Sequence, residues 1–380
     1  MKIGIDARMY GPKACTGIGQ YIRQLTNQLF NIDQENQYFL FLKKEMFDNL
    51  NSKSNSLYKE LDFVNKILAD VHWYTYKEQF KLPWILYREK LDLMHFTNFN
   101  LPILYRKPFV VTVHDITPFF FPGHKAGKSK WRKWGYDAVF KHAINKSKKI
   151  IAVSQSTKDL ILKNFKVNLD KIKVIYEGVD EKFKPIADCG IINAVKTKYG
   201  LDKPFIFFVG VWRNHKNVAG LVKVFDILKK KYKWQGNLVL GGQEDAHYLE
   251  VSKTIKSLGL ENEIIRPGFI SDEEMPVFYS LARAFVNPSL IEGFGLNNLE
   301  AHACGCPVVS SSATSLPEVS GQAAVYFNPN NIKEMAEKIY QVISDENLRQ
   351  SLRQKGFEQA KKFSWEKCAK ETLEVYKQSV

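Results

Sequence analysis

The sequence predicts an α/β protein built from two doubly wound, parallel-sheet domains in tandem, facing each other across a cleft. Three observations carry that prediction. Short runs rich in Val, Ile and Phe recur without polar–apolar alternation and are separated by helical stretches, the signature of strands buried on both faces. The series breaks once, in the Pro- and Gly-containing stretch Pro185–Pro204, and then begins again. The chain has 380 residues, 45% of them hydrophobic, enough for two ordinary cores.

In the first series Lys2–Ala7 reads as a strand, and Gly17-Ile18-Gly19 opens a helix that runs to about Phe30. Tyr38–Phe41 is strand-like, and Leu91–Phe96 holds a short strand ending at His95 and Phe96. Phe109–Val113 is a β-branched run that stops at His114-Asp115. Lys149–Val153 is a strand, Ser154 or Ser156 caps a helix over Thr157–Phe165, and Lys173–Tyr176 closes the series.

In the second series the strands are Phe205–Val209, Leu238–Leu240, Ile264–Pro267, Ala284–Val286, Pro307–Ser310 and Ala324–Phe327. Helices are expected over Asn217–Lys231, Glu273–Leu281, Leu296–Cys304 and, with one break, Ile332–Lys355. A last amphipathic helix, Ser364–Gln378, gathers Trp365, Cys368, Leu373 and Tyr376 on one face. The expected division is a first domain over 1–185 completed by the helix 364–380, a linker over 186–202, and a second domain over 203–363. Doubly wound sheets bind ligands beyond the carboxyl ends of their strands, so the chemistry is expected there.

Composition narrows the class. No run approaches the 18 apolar residues of a membrane span, and the opening MKIGIDAR reads as a strand and not as a signal peptide. The five scattered cysteines suit a reduced, cytoplasmic protein, and Cys304-Gly-Cys306 without a second cluster makes a poor metal site. Residues 1–200 carry 33 Lys and Arg against 19 Asp and Glu, and the remainder 22 against 21, so nearly all of the net +15 lies in the first half. Its densest part, Gly123 to Lys149, sets nine basic residues against Asp137 alone, interleaved with Trp131, Trp134, Tyr136 and Phe140. That pattern is either a solvated helix face or a patch for an anionic partner. A second aromatic cluster, Trp73 to Tyr87, has Lys77, Lys81, Arg88 and Lys90 among its neighbours. No nucleic-acid-binding motif is present, and no nucleic-acid partner is expected.

The strongest motif is Ser289-Leu-Ile-Glu292-Gly-Phe-Gly-Leu-Asn-Asn-Leu-Glu300-Ala-His-Ala-Cys-Gly305. A strand ends at Pro288, a loop with two glycines lets backbone approach a ligand, and a helix starts near Leu296 with its N–H groups toward an anion. Glu292 in the loop and Glu300 about one turn into the helix repel a bare phosphate but suit hydroxyls on either side of one. A nucleotide sugar has that layout: ribose, diphosphate, hexose. Arg213 and Lys216 follow the strand end at Gly210 and neutralise a diphosphate leaving group. No Asp-x-Asp occurs, so no Mg²⁺ or Mn²⁺ bridge and no cofactor is expected.

With these motifs the chain resembles glycosyltransferase family 4, over nearly its whole length. The likeness extends to Thr112-Val113-His114-Asp115-Ile116, Ile175-Tyr176-Glu177-Gly178-Val179-Asp180 and Val209-Gly210-Val211-Trp212-Arg213-Asn214-His215-Lys216-Asn217. Asn297 stands where the family commonly has Pro. The resemblance implies the GT-B fold, two Rossmann-like domains. It also implies a retaining, metal-independent hexosyltransferase acting in cell-surface polysaccharide synthesis. The donor would be a GDP- or UDP-sugar of mannose or glucose type, and the acceptor a glycan or a lipid-linked one. By the same resemblance Gly17 and Gly19 close on the diphosphate, His114 contacts the donor sugar, and Glu292 and Glu300 hold the sugar and ribose hydroxyls. Phe294, Gly295 and Leu296 offer backbone N–H groups. The membrane's anionic inner face is an expected partner of the basic first domain. Two other readings stand beside this one: another GT-B enzyme such as a sugar-nucleotide epimerase, and a non-enzymatic binder of anionic ligands.

Overall fold

The computed structural model describes residues 1–11, 17–51, 64–120 and 130–380, with the side chains of Pro118, Lys130, Trp131 and Arg132 left undescribed. The chain divides into two compact units, Met1–Gly178 with Ser364–Val380, and Val179–Phe363. The first holds seven parallel strands, β1 (Lys2–Asp6), β2 (Gln37–Leu42), β3 (Asn65–Leu68), β4 (Leu93–Phe96), β5 (Phe109–Val113), β6 (Lys149–Ala152) and β7 (Ile172–Val174). Their order is β3-β2-β1-β4-β5-β6-β7. The second unit repeats the pattern with β8 (Phe205–Val209), β9 (Asn237–Gly241), β10 (Ile264–Gly268), β11 (Ala284–Asn287), β12 (Val308–Ser311) and β13 (Ala324–Phe327), ordered β10-β9-β8-β11-β12-β13. Strand order reverses between β1 and β4 in one sheet and between β8 and β11 in the other. Those switch points are where a doubly wound sheet opens a ligand crevice.

The central strands are buried along their length, as the unbroken apolar runs require: β5 and β11 have no exposed position. Helices cover both faces with one apolar stripe each. Val218–Lys230, for example, buries Leu221, Val222, Val224, Phe225 and Leu228 in the second core. Ser154 caps the helix Gln155–Asn164, as its position before that helix predicts, by accepting from the Thr157 amide.

Three differences from the sequence reading have local causes. The expected linker 186–202 contains the helix Cys189–Tyr199, which lies within the second unit. Asp188 caps it by accepting from the Gly190 and Ile191 amides, and Gly200 ends it at φ +65°. Only Val195 of that helix is fully buried, so it carries almost no periodic signal. The helix Tyr76–Arg88 contains Pro83, which reads as a breaker. Burial of Leu82, Ile85 and Leu86 offsets the backbone hydrogen bond that the proline removes. Strand β3 is an edge strand with no fully buried residue, and its short sequence Asn-Lys-Ile-Leu shows no strand pattern.

The final helix, Trp365–Lys377, belongs to the first unit. It buries Trp365, Cys368, Ala369, Thr372, Val375 and Tyr376, while Leu373 sits at the edge of that face. Tyr376 reaches His95 of β4, with its hydroxyl 2.7 Å from Nδ1. Gly178 allows the return: a Cβ there would stand 2.2 Å from the Trp365 nitrogen, closer than any side chain tolerates.

Candidate functional site

In the second unit the loops after β8 and β11 meet at the switch point, held together by a hydrogen bond from the Leu290 amide to the His215 carbonyl, 2.7 Å. The β8 loop carries Arg213 and Lys216, and the β11 loop carries Glu292. Lys216 Nζ donates to Glu292 Oε1 at 2.6 Å, and the Ser289 hydroxyl donates to the same oxygen at 2.8 Å. Two of the groups expected from the sequence, on segments 76 residues apart, are therefore in direct contact. Burial pushes the Glu292 carboxyl up. Lys216, by charge and hydrogen bond, then Ser289 and His215 outweigh it, and the carboxyl ends below its usual 4.5. His215 itself is pushed down to about 4 by burial and by its neighbour Lys216.

Arg213 stands apart from that pair. Its Nε donates to Asp245 Oδ2 at 3.1 Å, and its side chain is half exposed. Asp245 follows β9 and was not singled out in the sequence, because no local pattern links it to Arg213 32 residues away.

The helix Leu296–Ala303 begins at Gly295, whose φ is +103°. A Cβ at Gly295 would meet Leu316 Cδ2 at 2.6 Å, so glycine is required on both counts. The Phe294 side chain is buried and packs edge-on against Phe363, with centroids 5.8 Å apart. The Asn298 amide closes the first turn on the Gly295 carbonyl at 2.9 Å, and the amides that precede it in such a turn have no intrahelical carbonyl, an arrangement that suits an anion. One turn in, Glu300 accepts from the Tyr279 hydroxyl at 2.9 Å. Burial, aided by Asp272 and Asp180, pushes the Glu300 carboxyl up to about 8 against the opposing pull of Tyr279 and Lys182. The two motif carboxyls are thus driven in opposite directions, Glu292 down by its cation and Glu300 up by its burial.

Several groups that brace this loop escape sequence reading. Thr314, in the loop after β12, takes φ +49°, an uncommon conformation for a β-branched residue, and its hydroxyl accepts from the Glu292 amide at 2.9 Å. Ser315 donates to the Glu292 and Phe294 carbonyls. Buried Asn298 accepts from Asn287 and donates to Ser310 and Ser320, tying the helix start to β11 and β12. Asn297 donates to the Val209 carbonyl at the end of β8, a bond that proline cannot make. Polar residues reading as loop filler are the mortar of the site, and only contacts across the sheet reveal it.

In the first unit, Gly17 and Gly19 open the helix Gly17–Ile32, while residues 12–16 before them lie outside the described residues. His114 follows β5 and is buried. Its Nε2 lies 3.0 Å from the Thr97 carbonyl, and its Nδ1 3.2 Å from Glu177 Oε1. Both ring nitrogens therefore face acceptors. Tyr21, from the helix that Gly17 begins, sets its ring edge-on to the imidazole at 4.7 Å. Glu177 was visible only as part of a motif. Its contact with His114 spans 63 residues. Among the described residues no three His, Cys, Asp or Glu side chains gather as a metal-binding group.

Of the basic stretch Gly123–Lys149, residues 123–129 lie outside the described residues. Its expected aromatic face is largely inward: Phe140 is core, Tyr136 packs on Phe99 and Phe119, and Trp134 is exposed. Helical period explains this, since Tyr136 and Phe140 are four residues apart and share the face turned to the sheet.

Two doubly wound sheets in tandem, each with candidate groups at its strand ends and one with cations beside a helix start, define a GT-B-type protein. Residues 17–183 match the model of Glycosyltransferase Family 4, and residues 192–359 that of Glycosyl transferases group 1. The chain belongs to this family of glycosyltransferases. It is 29% identical over 374 residues to the O-antigen chain mannosyltransferase B of Escherichia coli, covering 95% of this chain and 96% of that one. The O-antigen chain mannosyltransferase RfbU of Salmonella typhimurium is 27% identical over 272 residues, 72% of this chain and 70% of its own. In fold it is similar to Anabaena Alr3699/HepE in complex with UDP-glucose, at a TM-score of 0.79 with 18% identity over 99% of each chain. WaaG, a glycosyltransferase involved in lipopolysaccharide biosynthesis, follows at 0.75 with 13% identity over 98% of this chain and 99% of its own.

Proposed function

We propose that this glycosyltransferase moves a mannosyl or glucosyl group from a GDP- or UDP-sugar to a glycan or lipid-linked acceptor, in the synthesis of a cell-surface polysaccharide. It acts in the cytoplasm, at the inner face of the membrane, where its basic first unit meets anionic lipid. The observation that carries the reading is the Lys216–Glu292 contact at the switch point beside the Gly295 helix start, with Glu300 one turn further on. The relatedness to O-antigen mannosyltransferases supports the polysaccharide class and favours mannose.

In this reading Arg213 and Lys216 neutralise the diphosphate as it leaves, and the amides of Phe294, Gly295 and Leu296 hold its oxygens. Glu292 accepts from the sugar's hydroxyls and Glu300 from the ribose. Gly17, Gly19 and His114 are the first unit's own candidates for donor contact, His114 by steadying positive charge at the anomeric carbon. Transfer proceeds with retention, by attack on the face the phosphate leaves. The anomeric carbon–phosphate oxygen bond breaks as the bond to the acceptor oxygen forms, and the acceptor's proton passes to the departing phosphate. Two cations at the diphosphate take the place of a metal bridge.

The test is a thermal-shift panel of GDP- and UDP-sugars, followed by transfer assays with the stabilising donor in EDTA and product anomer analysis by NMR. A donor at a hundredfold its Kd stabilises by about 2.7 kcal/mol. An epimerised donor without a transferred product, an inverted linkage, or strict dependence on added Mn²⁺ or Mg²⁺ would each contradict part of the reading.

Glu300 yields a prediction with two opposite signs. Its carboxyl is raised above 4.5 in the folded chain, so the folded state keeps a proton that the unfolded state loses, and stability falls as pH rises from about 4.5 to 8. Glu300→Gln removes that cost. At pH 8 the variant without donor should melt higher, by about 2–4 °C per kcal/mol relieved in a unit of this size. Its donor-induced shift should shrink, because an amide replaces the acceptor of two ribose hydroxyls. Paired melting curves at pH 5 and pH 8 check both; equal donor shifts in the two proteins would remove Glu300 from the donor site.

A further inference from the structure

We propose that the outer face of the helix Tyr76–Arg88 is an in-plane membrane anchor that lies among the headgroups of an anionic bilayer. The inference rests on the membrane reading above and deepens it by placing the contact on one element, within the segment that the sequence marks as an aromatic cluster with basic neighbours.

The face is built from four aromatic side chains at spacings of four, four and three residues. Tyr76 is 88% exposed, Phe80 69%, Trp84 61% and Tyr87 39%. At about 100° per residue they fall within an arc of about 80°, and the stripe is about 16 Å long. Water-facing helix positions ordinarily carry polar side chains, so four large rings in a row mark an interaction surface. The opposite face is fully committed. Leu82, Ile85 and Leu86 lie in the core of the first unit, and Glu78 is buried against Arg8 at 2.8 Å, itself paired with Asp6 at 2.7 Å. The helix is therefore pinned at its N-terminal turn to the end of β1, and its rings cannot roll inward.

Charge selects the partner. Lys77, Lys81 and Arg88 are exposed and occupy the arc adjoining the rings, with Arg88 4.8 Å from the centre of the Trp84 ring. The helix's single acidic residue, Glu78, is the buried one. Aromatic rings that sink to headgroup depth beside cations able to reach lipid phosphates are the composition of an interfacial helix. A glycan platform needs carboxylates or amides beside its rings to bind hydroxyls, and the exposed part of this face offers cations alone. A protein partner would favour a concave or mixed-charge surface over a convex, wholly basic one.

Sedimentation of the purified full chain with phosphatidylcholine vesicles, with and without phosphatidylglycerol, tests the proposal. The wild type should bind the anionic vesicles at low salt and release as salt rises. Phe80→Ala with Trp84→Ala should lower the partition coefficient by at least about tenfold, and Lys77→Gln, Lys81→Gln and Arg88→Gln together should abolish the preference for phosphatidylglycerol. Trp84→Phe keeps the apolar surface, so it should bind like the wild type yet lose part of the blue shift in tryptophan emission. All these side chains are exposed, so melting temperature and transfer to a soluble acceptor should stay unchanged, which separates this proposal from the catalytic one. If the wild type binds and the Phe80/Trp84 variant binds equally, the contact lies elsewhere on the basic unit and the assignment is wrong. If the wild type ignores vesicles, the membrane reading fails with it. Retention on an immobilised mannan that the same variant loses would make the face a glycan platform and overturn the proposal.

Discussion

Replacing Glu292 with alanine is expected to reduce transfer by at least about a thousandfold while leaving the protein folded and able to bind donor. Glu292 collects a cation, a hydroxyl and a braced backbone in a single loop: Lys216 at 2.6 Å, Ser289 at 2.8 Å, and its own amide on Thr314. That much support for one carboxylate is support for a position, because it contributes little to the fold. The pair is largely buried, with side chains 26% and 15% exposed, so the cost of taking both charges out of water offsets most of their attraction and the net contribution to the fold is small. Steady-state kinetics with a melting curve and donor titration on the same preparation check the prediction. Near-wild-type turnover in the variant would remove Glu292 from the reaction.

Lys216→Ala should cost about 2–4 kcal/mol of transition-state stabilisation, roughly 30- to 1,000-fold in kcat/KM. It should also change the pH profile. In the wild type the Glu292 carboxyl lies below 4.5 because Lys216 leads the groups that outweigh burial. Without that cation burial dominates and the carboxyl rises. A reaction that needs it ionised then fails at milder acidity, so the acid limb of kcat/KM should move to higher pH. Lys216→Arg keeps the charge and should keep the acid limb near its wild-type place even if the rate falls. A Lys216→Ala variant with an unshifted limb and a rate within twofold of wild type would show that the ion pair is idle.

Legibility along this chain follows how local each signal is. The central strands were readable because burial on both faces forces an uninterrupted apolar run; Phe109–Val113 and Phe205–Val209 coincide with the residues expected. The edge strand β3 and the helices Tyr76–Arg88 and Cys189–Tyr199 were not, for a shared reason. Elements that bury little, or that contain a proline held in place by packing, carry no periodicity strong enough to outweigh a local breaker. Glu292, Glu300, Arg213 and Lys216 were named from short contiguous strings at strand ends and from the family resemblance that those strings carry. Their partners Tyr279, Asp245, Thr314 and Ser315 lie 21 to 32 residues distant in the chain, where no string connects them.

The sequence by itself therefore determined the class: parallel α/β units in tandem, a Gly-rich helix start with two flanking carboxylates, and two cations after a strand. Each of these is a local pattern whose physics, burial or backbone freedom or charge, acts within a few residues. The tertiary structure alone decided how those groups differ from one another. Two glutamates eight residues apart are equal on paper. Folding sets one against Lys216 and Ser289 and leaves the other beside Tyr279, Asp180 and Asp272, so their carboxyls shift in opposite directions. It likewise turned Tyr136 and Phe140 inward and left Tyr76, Phe80 and Trp84 outside. Protonation and exposure depend on what the far chain brings to within a few ångströms, and that is a property of the fold.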